Sequence, residues 1–168
     1  MGYDVDAVEE MDSVLNEMKN TTNNLRWGAY DKIRIGDNGF SQILKYHERF
    51  LPHWRELCDG LCCLKEDDEL KCFDICNVEL PNHIVSMILR AMRGKKLKIK
   101  GIHFEYNNFR EAYGIELASW LLNHSTASHI WYEGDIHNYE FEFRPLINAI
   151  TKHKSLRTVV VNTCNRII

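Results

Sequence analysis

Apolar residues recur along the chain at one set of spacings, and the clearest copy begins at Ile99. Within it, Ile102, Phe104 and Phe109 stand three, five and ten residues after the start, and Asn107 stands eight residues after it. The residues three and five positions after the start are two apart, so in a β-strand both side chains point to the same face of the sheet. Asparagine suits the turn that ends a strand, because its amide bonds backbone groups that the turn leaves unpaired. The spacing therefore predicts a short strand followed by a turn.

The pattern returns several times, which argues against chance. Its copies begin at Tyr30, Leu70, Ile99, Ala127 and Leu156. From Leu70 onward the starts are evenly spaced, with a period of about 29 residues that lies at the upper end of the range for leucine-rich repeats. The first interval, from Tyr30 to Leu70, is longer by roughly a third of a repeat. Apolar residues at helical spacing between the copies predict one helix per repeat, and therefore parallel strands joined by right-handed crossovers.

On these residues the sequence resembles leucine-rich repeat proteins of the ribonuclease-inhibitor type, from about Tyr30 to Ile168. The resemblance implies an α/β solenoid with parallel strands on the concave face and helices on the convex face. The template asparagine is replaced in three repeats, by Val78, Asp135 and Cys164. These departures concern the geometry of the turn and leave the repeat spacing unchanged.

The charge distribution separates an acidic N-terminal segment from the repeats. Residues 1–19 carry six acids and one lysine, net −5, in a chain whose formal net charge is −3. We expect residues 1–24 to form an acidic tail or a capping helix. Residues 25–168 should form the leucine-rich repeat domain, with an insertion at about residues 50–69. The body of the chain is nearly neutral, which argues against a dedicated nucleic-acid binder.

No catalytic or cofactor-binding motif stands out in the sequence. A phosphate-binding glycine loop, a nucleophile elbow and an HExxH zinc motif are all absent, so we predict neither an enzyme nor a cofactor. The sequence shows no signal peptide and no apolar run of membrane-spanning length. Both observations favour an intracellular location, with the cytoplasm as the expected compartment, no membrane insertion and reduced thiols.

Cysteine and histidine residues raise the alternative of a metal protein. Cys58 and Cys62 stand one helical turn apart in the insertion, and His53 precedes them. Cys72 and Cys76 lie about 13 Å apart on one predicted strand, too far to share a metal ion or a disulfide. Buried or half-buried thiols are the simpler interpretation, and no metal site is predicted.

Side chains two, four and six residues after each repeat start point away from the core and line the concave face. Parallel strands lie about 4.8 Å apart, so these side chains form continuous rows. Trp131 is the candidate anchor, because tryptophan supplies a large rigid contact area. The predicted partner-binding residues are Arg34, Asp74, His103, Glu105, His129, Trp131 and Glu133. Four of these residues have side chains that can bind a metal ion, and together they form a candidate His/Glu cluster: His103, His129, Glu105 and Glu133.

These observations predict a non-enzymatic protein-protein interaction module, a subunit or adaptor of a larger assembly. The acids Asp74, Glu105 and Glu133 lead us to expect a basic protein partner. The sequence stops at Ile168, just after the strand of the Leu156 repeat, so we also expect docking or self-association through the C-terminal strand. The alternative is a metal-binding or enzymatic protein that uses the Cys/His-containing insertion or the concave His/Glu cluster.

Overall fold

Strands and helices alternate along the chain. The computed structural model describes residues 5–36, 44–65, 69–92, 98–105, 112–124, 126–134 and 143–163. The helices are α1 (Val5–Trp27), α2 (Leu51–Cys62), α3 (Asn82–Met92), α4 (Ala112–Asn123) and α5 (Phe143–Lys152). The strands are β1 (Lys32–Ile35), β2 (Glu69–Leu70), β3 (Cys72–Cys76), β4 (Lys98–Ile99), β5 (Gly101–Glu105), β6 (His129–Gly134) and β7 (Thr158–Thr163). One 3-10 turn, Glu48–Phe50, precedes α2.

Five strands form one parallel sheet in the order β1-β3-β5-β6-β7, while the short strands β2 and β4 pair separately. Arg34 pairs with Asp74, and Asp74 pairs in turn with His103. His103 pairs with Trp131, and Trp131 with Val160. The sequence intervals between these paired residues are the same as those between the predicted repeat starts, a long first interval and then three nearly equal ones. The predicted parallel strands are confirmed, and each of these strands sets the same template position at the same level of the sheet.

The core lies between the sheet and the helices. Three residues after a repeat start, Ile33 and Phe73 are fully buried, while Ile102 and Ile130 are 1% exposed. The helices pack side by side in chain order, from α1 against α2 to α4 against α5, and their apolar side chains join the same core. The result is a two-layer α/β unit, in which helices cover one face of the sheet and the other face points away from them.

From Val5 onward the acidic N-terminal segment is a helix, and it packs on the first repeat. Val14, Leu15, Met18 and Leu25 are buried at helical spacing, and α1 contacts both α2 and β1. The helix therefore covers apolar surface of the first repeat that solvent would otherwise reach. It runs past the predicted boundary at residue 24 and ends at Trp27.

The predicted insertion at about residues 50–69 holds α2, which packs between α1 and α3. Pro52 lies in the first turn of α2, where its missing N–H removes no helical hydrogen bond. Trp54, Leu57 and Leu61 are fully buried on the inner side of the helix. Because α2 lies in the same layer as the other helices and connects β1 to β3, it is the first repeat's own helix. The extra length of that repeat lies before it, since α2 begins 21 residues after Tyr30, whereas α3 begins 12 residues after Leu70.

Two residues with positive φ follow the first two long strands. Gly36 has φ +84°, and a Cβ there would overlap the carbonyl oxygen of Cys76. Its N–H donates to Glu17 Oε2 at 2.7 Å. Asn77 has φ +54°, in the left-handed region that asparagine tolerates better than most residues. In this repeat the asparagine therefore makes the bend one position before Val78, which fills the template position.

Histidines at the ends of α4 and α5 link successive repeats. His124 is 2% exposed, and its Nδ1 lies 2.8 Å from the Trp120 carbonyl oxygen. Its Nε2 lies 2.9 Å from the carbonyl oxygen of Met92, one repeat earlier. His153 repeats this arrangement, with Nε2 2.9 Å from the carbonyl oxygen of His124. Because a neutral imidazole has one N–H, both contacts of His124 are hydrogen bonds only when its ring is protonated.

Candidate functional site

The outer face of the sheet carries one line of side chains that crosses all five strands. The strand register places each of these side chains beside the next, in the order Arg34, Asp74, His103, Trp131 and Val160. Neighbouring parallel strands lie about 4.8 Å apart, close enough for the side chains to touch. This outer row, as we name the five residues, changes from charged on β1 and β3 to apolar on β6 and β7.

Asp74 is the most enclosed member of the outer row, with 3% of its surface exposed. His103 Nδ1 lies 2.9 Å from carboxylate oxygen Oδ1, and the Cys76 thiol donates to the same oxygen at 3.0 Å. The second oxygen, Oδ2, lies 3.6 Å from both Lys32 Nζ and Arg34 Nε. A buried carboxylate is tolerated only with such partners, so these four groups explain why an acid occupies this position.

The surroundings of Asp74 also determine its protonation. Burial by itself raises the pKa of a carboxyl group, because it disfavours the charged form. Hydrogen bonds from His103 and Cys76, with the electrostatic attraction of His103 and Arg34, outweigh the effect of burial. Together they hold the pKa of Asp74 below its ordinary value of 3.8. Asp74 is therefore a carboxylate at neutral pH.

At Asp74 the structure differs from the sequence prediction that this acid is available to a basic protein partner. The parallel register of β1 and β3 sets Lys32 and Arg34 beside its carboxylate, which is buried as a result. Glu105 and Glu133 pair with each other in the sheet, and their side chains lie outside the described part of the molecule. Asp74 therefore holds the side chains around it in place and presents little charge to a partner.

Trp131 is the exposed aromatic member of the outer row. It is 40% exposed, whereas Trp54 and Trp120 are fully buried. Its ring meets His103 edge-on, with ring centroids 5.2 Å apart and ring planes at 60°. The tryptophan is thus held by a neighbour and still presents apolar area to solvent. A large aromatic side chain in this state is a typical feature of binding surfaces.

The other predicted residues with described side chains surround this row. The Arg34 side chain is 44% exposed beside Asp74. His129 is exposed in the adjoining row, where it pairs with Gly101 and Thr158, and its Nδ1 lies 2.7 Å from the neighbouring Ser128 hydroxyl. The structure therefore brings four of the seven predicted residues into the outer row and places His129 next to them.

Three potential metal ligands converge beside the outer row. An oxygen of Asp74, the sulfur of Cys76 and a ring nitrogen of His103 all lie within 4.8 Å of one another. Sequence reasoning grouped His103 with other ligands and missed this set, although a signal was present. Cys76 stands two residues after Asp74 on the same side of β3, and His103 occupies the template position of Asp74 in the next repeat.

The cysteines of the predicted insertion form no comparable group among the described residues. Cys58, Cys62 and His53 do not come together as three ligands. Burial raises the pKa of the Cys58 thiol to about 12, and Cys62 and Asp59 add to the effect. Metal ions bind the thiolate form, and among the described residues Cys58 is not grouped with two further ligands that would offset the cost of deprotonation.

Comparison with solved structures relates this fold to a known one. The chain is similar to the tropomodulin C-terminal domain from Caenorhabditis elegans, with a TM-score of 0.55 and 12% sequence identity. The similarity covers 89% of this chain and 84% of that one. At this identity it shows the fold alone, a mixed α/β arrangement of the leucine-rich repeat kind. No family model matches the sequence, and no curated protein matches it. Within the described residues, no helix has both the length and the apolar character needed to cross a membrane.

Proposed function

We propose that the chain is a non-enzymatic protein-protein interaction module, a subunit or adaptor of a larger assembly. Its repeats would stack as a leucine-rich repeat solenoid of the ribonuclease-inhibitor type, with the outer face of the sheet on the concave side. The constant interval between paired strands supports this arrangement, because each repeat then meets its neighbours through the same positions. The free cysteines among the described residues suit a reducing intracellular compartment.

The exposure of Trp131 is the single observation that carries the proposal. Its ring stands on a regular strand, against His103 on one neighbouring strand and beside Val160 on the other. A partner that covers the exposed part of this ring gains apolar contact without first having to order a flexible loop. Tryptophan residues in such pre-organised positions are frequent hot spots of protein interfaces.

The expected partner is a protein segment that combines an apolar side chain with basic residues. The apolar side chain would cover Trp131. Basic residues would approach Glu105 and Glu133, which stand two positions further along β5 and β6 than the outer row. At the other end of the row, Lys32 and Arg34 are engaged with Asp74, which lowers their repulsion of a basic partner.

The edge of the sheet at β7 is a second element of the proposed binding surface. In the described part of the chain, β7 pairs with β6 alone, and Val159 on it is 38% exposed. An edge strand presents unpaired backbone groups, and an uncovered apolar side chain adds to the tendency to associate. Docking or self-association through β7 therefore belongs to the same proposal.

The test compares Trp131→Ala with the matched control Trp27→Ala. Trp27 is 86% exposed and stands at the C-terminal end of α1, in the helix layer. Affinity capture with the wild-type chain and mass spectrometry identify the partner, and calorimetry with the purified partner measures Kd. Trp131→Ala should weaken binding by about 2 kcal/mol, or about 30-fold, because it removes the anchor. Trp27→Ala should leave Kd nearly unchanged.

Thermal unfolding and circular dichroism establish whether both variants keep the fold. An unchanged Kd in the folded Trp131→Ala variant would show that the partner binds elsewhere. Loss of the fold in that variant, with Trp27→Ala intact, would show that Trp131 is a structural residue and would also contradict the proposal.

A metal-binding protein is the second candidate function, and the convergence of Asp74, Cys76 and His103 favours it. The predicted ligands of the insertion do not come together, so this candidate depends on that cluster. A resident metal ion and a protein-binding surface are compatible, because the cluster lies under the charged end of the outer row and Trp131 lies beyond it.

A further inference from the structure

Three side chains of different chemistry meet on the outer face of the sheet between β3 and β5. We propose that they bind a divalent transition metal ion, with zinc as the expected ion. The ligand atoms are a carboxylate oxygen of Asp74, Sγ of Cys76 and a ring nitrogen of His103, all within 4.8 Å of one another. The proposal deepens the second candidate function, on which it rests, and it is independent of the interaction function, since it requires no protein partner.

Regular secondary structure holds the three ligands in place. Asp74 and Cys76 are two residues apart on β3, so both side chains leave the same face of the sheet. His103 pairs directly with Asp74 on the adjacent strand β5. Ligands on hydrogen-bonded strands are positioned more accurately than ligands on loops, which favours binding because little ordering is left to the ion.

The distances between the side chains are close to those that a metal ion requires. Asp74 Oδ1 lies 2.9 Å from His103 Nδ1 and 3.0 Å from Cys76 Sγ. Zinc bonds of about 2.0–2.3 Å in a tetrahedron place the ligand atoms about 3.3–3.7 Å apart. The two contacts of Asp74 Oδ1 therefore need to lengthen by only about half an ångström to admit the ion. The partly exposed His103 side chain has room for such a movement.

The set of donor atoms indicates the class of ion. A thiolate and an imidazole bind zinc and similar transition metal ions, whereas magnesium and calcium ions prefer oxygen ligands alone. Three protein ligands would leave one tetrahedral position of zinc for water or another small ligand. Asp74 and Cys76 are buried, and the ion would enter from the side of His103, whose side chain is 23% exposed.

Protons and charges balance when the ion binds. In the metal-free form the Cys76 thiol and the His103 Nδ1–H both donate hydrogen bonds to Asp74 Oδ1. On binding, the protons on Sγ and Nδ1 both leave, and bonds to the metal replace the S–H and N–H bonds. The imidazole is then neutral with its proton on Nε2, and the protons that the site no longer holds pass to solvent. Carboxylate and thiolate then neutralise the two positive charges of the ion. Lys32 and Arg34 remain near Oδ2, the oxygen that does not face His103 and Cys76, and meet a group without excess positive charge.

Trp131 would act as a positioning residue for the site. Its ring lies edge-on to His103, so it restricts rotation of the imidazole and shields that side from water. Groups that orient a metal-binding histidine in this way raise the affinity for the ion. Trp131→Ala should therefore weaken Co2+ binding, and Trp131→Phe should recover most of it, because an aromatic ring of similar position still supports His103.

The test uses the full chain, stripped of metal and kept reduced with a phosphine. Titration with Co2+ should produce a near-ultraviolet thiolate-to-cobalt absorption band that saturates at one equivalent, and Zn2+ should then abolish it by displacement. Native mass spectrometry of the Zn2+ form should show one ion per chain. These readouts report the metal itself and depend on no partner or activity.

Variants locate the ion. Cys76→Ser should remove the thiolate band, and His103→Ala should weaken Co2+ binding at least about tenfold. The control Cys62→Ser changes an exposed cysteine on α2 and should retain both band and affinity. His103→Ala replaces a partly exposed ring, so it remains informative if Cys76→Ser does not fold. Zn2+ should also raise the Tm of the wild type by more than that of His103→Ala, because ligand binding stabilises the folded state in proportion to the affinity.

Three results would overturn the metal proposal: no thiolate band at one equivalent, a band that persists in Cys76→Ser, or a band lost in Cys62→Ser. The interaction proposal is judged separately by partner affinity. A chain that binds Co2+ through Cys76 while Trp131→Ala keeps full partner affinity would support the metal site and contradict only the proposed binding surface.

Discussion

The two ends of the five-stranded sheet differ at equivalent positions. Three residues after the repeat start, Ile33 and Phe73 are fully buried and Ile130 is 1% exposed, but Val159 on β7 is 38% exposed. The helix layer explains the difference, because in the part of the chain that the structure describes no helix follows β7. An inward-pointing apolar residue is therefore a core residue only where a helix covers it.

The outer face changes in the same direction. Arg34, Asp74 and His103 form a charged network at the β1 end of the outer row, whereas Trp131 and Val160 form its apolar end. The β1 end is stabilised by buried polar contacts and by core residues that the helices cover. The last end presents apolar surface on its outer face and an uncovered residue on its inner face. We infer that the first end contributes most to stability and the last end most to association.

The largest loss of stability is expected from Gly36→Ala, at the β1 end of the sheet. Gly36 and Gly28 both have positive φ, but only at Gly36 would a Cβ overlap another group, the carbonyl of Cys76. Gly28→Ala should lower the free energy of unfolding by about 1 kcal/mol, the cost of a left-handed alanine. Gly36→Ala should lower it by about 3 kcal/mol, because β1 must also move away from β3. Urea denaturation measures both.

The matched glycine pair separates backbone strain from close packing. Equal losses of unfolding free energy in the two variants would show that β1 shifts against β3 at little cost. That result would contradict tight packing at the β1 end of the sheet. A loss confined to Gly36→Ala would instead show that the contact with Cys76 dominates.

A smaller difference is expected between the two histidines that link repeats. His124 is 2% exposed and stacks on Trp120, with ring centroids 4.4 Å apart, whereas His153 is only partly buried. His124→Ala should cost about 2 kcal/mol, because it leaves the buried Met92 carbonyl without this partner. His153→Ala should cost about 1 kcal/mol, because water can replace part of its contact. Thermal and urea unfolding give both values. A larger loss of stability in His153→Ala would contradict the proposal that stability decreases from the β1 end to the β7 end of the sheet.

Much of the fold was predictable from the sequence because the repeat period is also the strand register. The interval that separates Leu70 from Ile99 in the sequence is the interval that pairs Asp74 with His103 in the sheet. The sequence could not decide between a tail and a helix for residues 1–24, since the helix depends on contacts with α2 that the local pattern does not contain. Nor could periodicity show that Val159 is half-uncovered, because it reports the direction of a side chain and not what covers it.

The candidate site was predictable in part, for a related reason. The template correctly places Trp131 on the outer face beside His103. The template predicts the same exposure for Asp74, but cationic side chains from the strand of the preceding repeat lie beside that carboxylate and cover it. The cluster around Cys76 was missed because it combines two template positions, that of Cys76 and the one shared by Asp74 and His103, from two repeats. Contacts that combine positions and repeats are visible only once the register is known.

The smallest effect on stability is expected at Val159, where the comparison between the two ends is most direct. Val159→Lys should change the free energy of unfolding by no more than about 1 kcal/mol, because the side chain is already 38% exposed and lysine can extend into water. It should reduce self-association, since a charge on an edge strand opposes pairing with a second chain. Sedimentation over a range of concentrations measures this, and Ile147→Lys is the control, as Ile147 is 55% exposed on α5, away from the sheet edge. The wild type and Ile147→Lys should associate as concentration rises, and Val159→Lys should remain monomeric. A wild-type monomer at every concentration, with the β7 amides protected from hydrogen exchange, would mean that this end of the sheet is as well covered as the first.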